Sequence, residues 1–475
     1  MCLVPGVWPG VVTAQLSELE FDRAAADDFI AEYRRSYAVP GVAIVITDGS
    51  EIVYARGYGH DSIGRPISSA TRLPIASLSK SFTALAVILL VEDGKLKLDD
   101  PVRNYLTEFD LADARSDEIT IRQLLDHTSG MSDMTFPEKS IPTPQSLAAA
   151  IGMLRSAELS ANPGTRRQYH NPNYWIAARL VEVVSGKEFG AYLAEEIFAP
   201  LGMTNTSTVV SLRAAPDVPP GYVRFFGRPV ALNEPQWFLG GCCGVVTTAE
   251  DMGRWLAFHN SMGETATGER LISIASMNEL HDGLGWNARE QDGRSIFTHN
   301  GILFTFSARQ YLLPDVADGV GIAVVTTTGI ALAPVDSDSI ANALLQMVEG
   351  RSAEIAGPTG LTIDLVLFSL SVVTTLIGVV AVWRSRRWAH VRSSRSLWRN
   401  ALVQLPCVIP VVLLVSYPTI VGIVAGGRDV NWIQSLYLST LLFAFVVIWA
   451  LTSTAVVTSR TIHWRRVQRA SRIRL

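Results

Sequence analysis

Between Arg72 and Gly94 the apolar positions Phe82, Leu85, Ala86, Leu89 and Leu90 recur every three or four residues. That is the spacing of a buried helix face, and Gly94 supplies its stop. Helical spacing also runs through residues 17–37, "SLAAAIGMLRSA", "NYWIAARLVEVVSG" and "TAEDMGRWLAFHN", where Thr248 and Asp251 suit a capped start. Strand-like runs lie towards the two ends. "GVAIVITDGSEIVYARGYG" predicts a hairpin about Asp48–Gly49; "GLGWNA", "RSIFTH", "FSARQYLLP" and "GVGIAVVTTTG" come late, before a closing helix near Ser337–Glu349. This order predicts an α/β (α+β) fold: one antiparallel sheet built from both termini, flanked by terminal helices, with a helical domain inserted.

The pattern changes after residue 360. Three stretches, Ile363–Trp383, Leu402–Val424 and Ile433–Val457, are apolar on all sides and long enough to cross a bilayer. Pro406, Pro410 and Pro418 interrupt the second, which a packed membrane helix tolerates. Residues 361–475 hold 13 Arg against Asp364 and Asp429, so the net charge of −4 divides into an acidic portion and a basic tail. Arg384, Arg386, Arg387, Arg392, Arg395 and Arg399 lie between the first two stretches, and Arg460, Arg465, Arg466, Arg469, Arg472 and Arg474 after the third. The loop "GGRDVNW" carries one Arg cancelled by one Asp. Positive loops stay in the cytoplasm, so a multi-pass protein of the cell membrane is expected, with its globular domain outside the cytoplasm and the lipid bilayer as partner. Basic clusters beside apolar stretches argue against nucleic acid.

The expected layout is residues 1–16 as a truncated export signal, 17–352 as the globular domain and 353–362 as a linker. Spans follow at 363–383, 402–424 and 433–457, then a basic cytoplasmic tail at 458–475. "MCLVPGVWPGVVTAQ" is apolar and ends in small residues but lacks a positive start. Cys2, Cys242, Cys243 and Cys407 offer neither a disulfide framework nor zinc spacing, and no metal or cofactor is expected.

Lys80 is the anomaly in the first helix. Burying an ammonium is costly unless it is paired or its pKa falls. Ser77 lies one turn earlier, and a Ser-x-x-Lys pair on one helix face gives a serine the activating partner it needs. At a helix start the serine N–H also faces developing negative charge.

Further segments add to this pair: "TIRQLLDHTSGM", "PGTRRQYHNPNYWIAARLVEVVSGKEFGAYLAEEIFAPLGM", "GGCCGVVTTAEDMGRWL" and "FTHNG". Together they resemble the penicillin-recognising serine hydrolases: class C β-lactamases, D,D-peptidases, D-aminopeptidases and related esterases. The resemblance covers about residues 20–350 and implies a β-lactamase/transpeptidase-like fold. It also implies Ser77 as acylated nucleophile, Lys80 as its proton acceptor or electrostatic activator, and Tyr169 as proton relay to the leaving group. Asn171 would hold Lys80 and a substrate carbonyl. His299 and Gly301 would form the strand element beside the substrate, with the Ile302 N–H completing the oxyanion hole. His127 and the Cys242–Cys243 pair read as packing residues.

Two departures bear on substrate. Bulky "ILFTFSA" follows the His-x-Gly element where relatives have a glycine-rich turn, and His299 replaces a lysine that would grip a carboxylate. Both argue against efficient β-lactam hydrolysis. The expectation is a membrane-anchored hydrolase forming an acyl-enzyme on an amide, D-aminoacyl peptide or ester, a small molecule or peptide derived from the cell wall by fold analogy. The rival is an acylatable membrane sensor that signals through its spans. A His299 that titrates at the usual imidazole pH would make anionic substrates bind better in acid.

Overall fold

The computed structural model describes residue 19 and residues 21–473, apart from 292, 330, 331, 333, 356 and 426. The segment 1–16 lies outside the described residues, and the helix expected at 17–37 starts later, at Arg23, where Asp22 caps it by accepting the Ala24 and Ala25 N–H groups at 3.0 Å each.

Among the described residues, eleven strands appear in chain order: β1 (Gly41–Asp48), β2 (Glu51–Gly59), β3 (Leu73–Pro74), β4 (Ser207–Thr208), β5 (Gly221–Phe225), β6 (Arg228–Leu232), β7 (Val245–Thr247), β8 (Asn287–Gln291), β9 (Arg294–Ile302), β10 (Ser307–Leu313) and β11 (Val320–Thr326). Six form one antiparallel sheet in the order β2-β1-β11-β10-β9-β8. The sheet therefore joins both ends of the domain, as the sequence pattern predicts. Strand β1 is buried along nearly its whole length because both sheet faces are covered. Val42, Ile44 and Ile46 pack with Phe29, Ile30, Ile340 and Leu344 of the helices Arg23–Tyr37 and Asp336–Val348. Ala43 and Val45 point the other way, into the core shared with the inserted helices. β3, β4 and β7 form a small second sheet, and β5–β6 a separate hairpin.

The helix expected from the first apolar period spans Ser79–Glu92, and Gly94 follows it at φ +70°. It is buried on almost every side. Phe82 stacks on Trp255 at 3.8 Å between ring centroids. Trp255 belongs to the helix Ala249–Asn260, which Thr248 caps by accepting the Asp251 N–H at 3.1 Å.

In the tail, two helices among the described residues are long and apolar enough to cross a membrane: Gly360–Trp383 and the helix from Thr440. A third crossing exists only if Leu405–Val415 and Tyr417–Val424, bent by 70°, count as one. Pro418 in the first turn of the second piece lacks the N–H a continuous helix needs. The third apolar stretch also differs from the expected 433–457. It breaks at Ser439, which is extended and caps the next helix by accepting the Leu442 N–H at 3.1 Å. That helix then runs on to Ile473, through the expected basic tail. At the other end, the β5–β6 turn at Phe226–Gly227 meets the first apolar helix, with the Phe226 and Phe368 rings 5.7 Å apart.

Candidate active site

Ser77 does not sit on the helix that carries Lys80. It lies in a 3-10 turn, Ala76–Leu78, just ahead of it. Ala76 takes the left-handed conformation, φ +50°, which costs a residue with a Cβ and marks a position held by its surroundings. Ser79 supplies part of that hold: its Oγ donates to the Ala76 carbonyl at 2.6 Å and accepts the Val245 N–H at 3.0 Å.

The Lys80 side chain is fully buried, whereas Ser77 is partly exposed. Lys80 Nζ donates to Asn171 Oδ1 at 2.9 Å, the Cys242 carbonyl at 3.1 Å and Ser77 Oγ at 3.2 Å. Three acceptors use all three ammonium protons. Burial alone would lower the Lys80 pKa, but Cys243, Tyr169 and Cys242 around it reverse the direction and raise it. The buried ammonium is thus kept by pairing, and the charge is retained.

Tyr169 and Asn171 come from the loop that ends in the helix Pro172–Ser185. Lys80 Nζ lies 4.8 Å from the Tyr169 ring centroid. The His127 ring packs 4.4 Å from Tyr169, and its Nδ1 lies 3.1 Å from Asn173 Nδ2, so His127 supports the site from behind.

The other wall is β9. Leu303 N–H bonds the Phe306 carbonyl at 2.9 Å, and Ile302 pairs with Ser307 next along the ladder. By the alternation of antiparallel pairs, the Ile302 N–H turns away from β10. It faces the free edge of β9, because pairing with β8 ends at Thr298. Gly301 lies against the turn that carries Ser77. A Cβ there would lie 2.3 Å from the Ile75 carbonyl and 3.0 Å from Ala76 Cβ, so the missing side chain lets β9 press on the turn that carries Ser77.

His299 is buried, and its Nδ1 lies 2.7 Å from the Asn300 carbonyl. That carbonyl only accepts, so Nδ1 carries the proton and Nε2 is left as an acceptor. Burial, then the Lys80 charge, lowers the His299 pKa to about 3. The expected titration near the usual imidazole pH is therefore corrected: His299 is neutral across the physiological range. The bulky turn after it is held by Glu234, whose carboxylate accepts from Phe304 N (3.1 Å), Thr305 N (3.0 Å) and Thr305 Oγ1 (2.8 Å).

Three features escaped the sequence reading. Cys243, expected only to pack, places Sγ 3.6 Å from Ser77 Oγ and 3.8 Å from Lys80 Nζ. Glu138 accepts from Asn171 Nδ2 at 2.6 Å. Asp133, Glu138 and His170 bring donor atoms within 4.8 Å of one another, a set that suits a metal ion. The cation on both carboxylates is Arg428, 2.8 Å from Asp133 and 2.7 Å from Glu138. Adjacent small or acidic residues in loops give no local signal for such contacts.

Residues 26–346 match the Beta-lactamase family. The chain belongs to that family. Family members are serine hydrolases in type, which agrees with the motifs around Ser77. Protein flp of Staphylococcus aureus (strain MRSA252) is 26% identical over 309 residues, 62% of this chain and 61% of that protein. The chain thus matches about three fifths of that relative's length. Penicillin-binding protein 4 of Amycolatopsis lactamdurans is 28% identical over 346 residues, 66% of this chain and 87% of that protein. Among solved structures, the octameric penicillin-binding protein homologue from Pyrococcus abyssi superposes with a TM-score of 0.61 and 25% identity, covering 70% of this chain and 78% of that one. The D-alanine carboxypeptidase AmpC from Burkholderia cenocepacia shares the fold, with a TM-score of 0.55 at 23% identity, covering 69% and 98%. All four similarities leave about a third of this chain unmatched.

Proposed function

We propose that this protein is a membrane-anchored serine hydrolase that acts outside the cytoplasm through an acyl-enzyme at Ser77. One observation carries the reading: a partly exposed Ser77 hydroxyl lies 3.2 Å from the ammonium of a fully buried Lys80. Ser77 Oγ attacks a carbonyl carbon as Tyr169 takes its proton, and the Lys80 charge stabilises the negative charge that develops on the two oxygens. Tyr169, beside the same ammonium, passes a proton to the leaving amine or alcohol as its bond to the carbonyl breaks. The Ser77 and Ile302 N–H groups hold the oxyanion. Water then attacks the ester, releasing the acid and restoring Ser77.

A neutral His299 offers a substrate a hydrogen-bond acceptor and no positive charge. This favours amides, D-aminoacyl peptides or esters over substrates gripped by a free carboxylate. Cell-wall peptides are the substrate proposed by analogy with the fold, one relative being a penicillin-binding protein.

The orientation has support from packing. Trp464 Nε1 donates to the Arg392 carbonyl at 3.3 Å, which gathers the two Arg-rich segments at one end of the tail. The loop at Arg428 instead touches the catalytic domain. Charge and packing therefore group the same loops.

A second reading, an acylated sensor, gains support from that loop, since it links the site to the tail. A labelling time course with a fluorophosphonate or fluorescent penicillin tests both. Label on Ser77 that is lost and regained marks a hydrolase; label that persists marks the sensor. Ser77→Ala should abolish labelling with its melting temperature preserved, and hydrolysis by that variant would overturn the assignment of the nucleophile.

A further inference from the structure

The tail makes one contact with the catalytic domain that an anchor does not need. Arg428, in the short loop between Val424 and Trp432, carries its guanidinium into the wall behind Tyr169 and Asn171. Nε lies 2.8 Å from Asp133 Oδ2, Nη2 donates to Glu138 Oε1 at 2.7 Å, and Nη1 donates to the Tyr169 carbonyl at 3.3 Å. The guanidinium carbon is 4.9 Å from the Tyr169 ring centroid. Neighbouring residues fasten the loop. The Asp429 N–H donates to Asp133 at 2.7 Å, its carboxylate accepts from Lys139 N and Ser140 Oγ at 2.8 Å each, and Asn431 Nδ2 donates to the Lys139 carbonyl at 2.8 Å.

We propose that Arg428 is a positioning residue of the Ser77 site, supplied by the membrane region, which sets the Asn171 amide and through it Lys80. The proposal rests on the serine-hydrolase reading above. An ionised carboxylate only accepts hydrogen bonds, so Glu138 draws the NH2 side of the Asn171 amide towards itself. The carbonyl side is then turned to the Lys80 ammonium, as observed at 2.9 Å. Glu138 and Asp133 are almost completely buried, and two buried carboxylates side by side need a cation. Lys139 Nζ stands 3.3 Å from Glu138 but does not reach Asp133 as a partner; Arg428 bridges both, as a planar fork can and an ammonium does poorly. The chain of contacts Arg428–Glu138–Asn171–Lys80–Ser77 is continuous, with no step longer than 3.2 Å. The catalytic site of this protein is thus completed by a residue outside the segment 26–346 that matches the family.

The test uses the full chain in detergent or nanodiscs. Arg428→Ala should lower the maximal acylation rate of Ser77 by roughly tenfold or more, the size expected for losing a bond to a buried charge, with little change in half-saturating probe concentration. Arg428→Lys should fall between. Added guanidinium at low millimolar concentration should restore much of the alanine variant's rate, which a misfolded protein would not allow. In a Glu138→Gln background the same alanine substitution should cost far less than in the wild type. Hydrogen exchange supplies a readout independent of chemistry: Arg428→Ala should speed exchange in residues 133–140 and 167–173. Wild-type acylation by Arg428→Ala would overturn the proposal. So would equal losses in the two backgrounds without rescue, or unchanged exchange in both segments. A wild type that never labels would instead overturn the hydrolase reading, and the exchange result would still decide the role of Arg428.

Discussion

The two halves of this chain bury opposite things. In the catalytic domain a lysine is fully enclosed while Leu, Ile and Val fill the interior around it. In the tail Ile377 is 65% and Val424 83% exposed, and small or polar residues such as Ser371, Gly378 and Ser385 are the ones enclosed. The first pattern belongs to a fold that excludes water, the second is the one that suits helices long and apolar enough to cross a membrane. Burial therefore costs different residues different amounts on either side of residue 360. A contact across that divide, such as Arg428 with Asp133, has to satisfy the rules of the first half, because both groups are withdrawn from water.

The largest effect that would sharpen this contrast is expected at Gly301. Gly301→Ala puts a methyl group 2.3 Å from the Ile75 carbonyl, and the Ser77 turn has to give way. Acylation should fall by about a hundredfold, the order of loss from displacing a reacting group by ~1 Å. A wild-type rate would show that β9 does not set the position of Ser77.

A smaller effect separates the two solvents. Trp255→Ala removes a fully buried ring stacked on Phe82 and should cost about 3–5 kcal/mol by denaturant melts. Val424→Ala, on the exposed face of the tail, should change stability in detergent by less than about 0.5 kcal/mol. Comparable losses would mean that Val424 packs against protein and not against lipid.

The smallest expected effect is an absence of change at His299. A histidine whose folded pKa is depressed is stabilising above the unfolded value of 6.5, and that contribution is lost as pH falls towards about 3. Between pH 5 and 8 its charge does not change. Rate profiles for neutral and anionic substrates should therefore run parallel across that range. A preference for the anionic substrate that fades through pH 6.5 would show that substrate binding protonates the ring.

The sequence made the large sheet legible because β1, β2 and β9 to β11 are long enough to show their pattern. The two-residue β3 and β4 are too short to leave one. The Ser77–Lys80 pair was readable from local spacing, and Tyr169 and Asn171 from the family resemblance of a short motif, which survives any change in the loops between them. The 3-10 turn under Ser77 was not, since the groups packed against it, β9 at Gly301 and Val245 through Ser79, are distant in sequence. Glu138 and Arg428 lie 290 positions apart, and nothing near either one anticipates the pair. His299 was found as a residue but not as a neutral one, because its state depends on burial that spacing does not encode. The break at Ser439 is in the same class: an apolar stretch reads as continuous until a side chain caps its interior.

The hairpin turn at Phe226–Gly227 decides how far the catalytic domain can travel. Ten residues of free linker could reach ~33 Å, enough for a tethered domain to sweep a wide volume. Phe226 instead rests on Phe368, eight residues along the first apolar helix and therefore ~12 Å along its axis from Gly360. In the membrane-anchored arrangement proposed above, a domain fastened at that depth would have a fixed working height, so that a substrate beyond a thin shell over the surface would have to come to it.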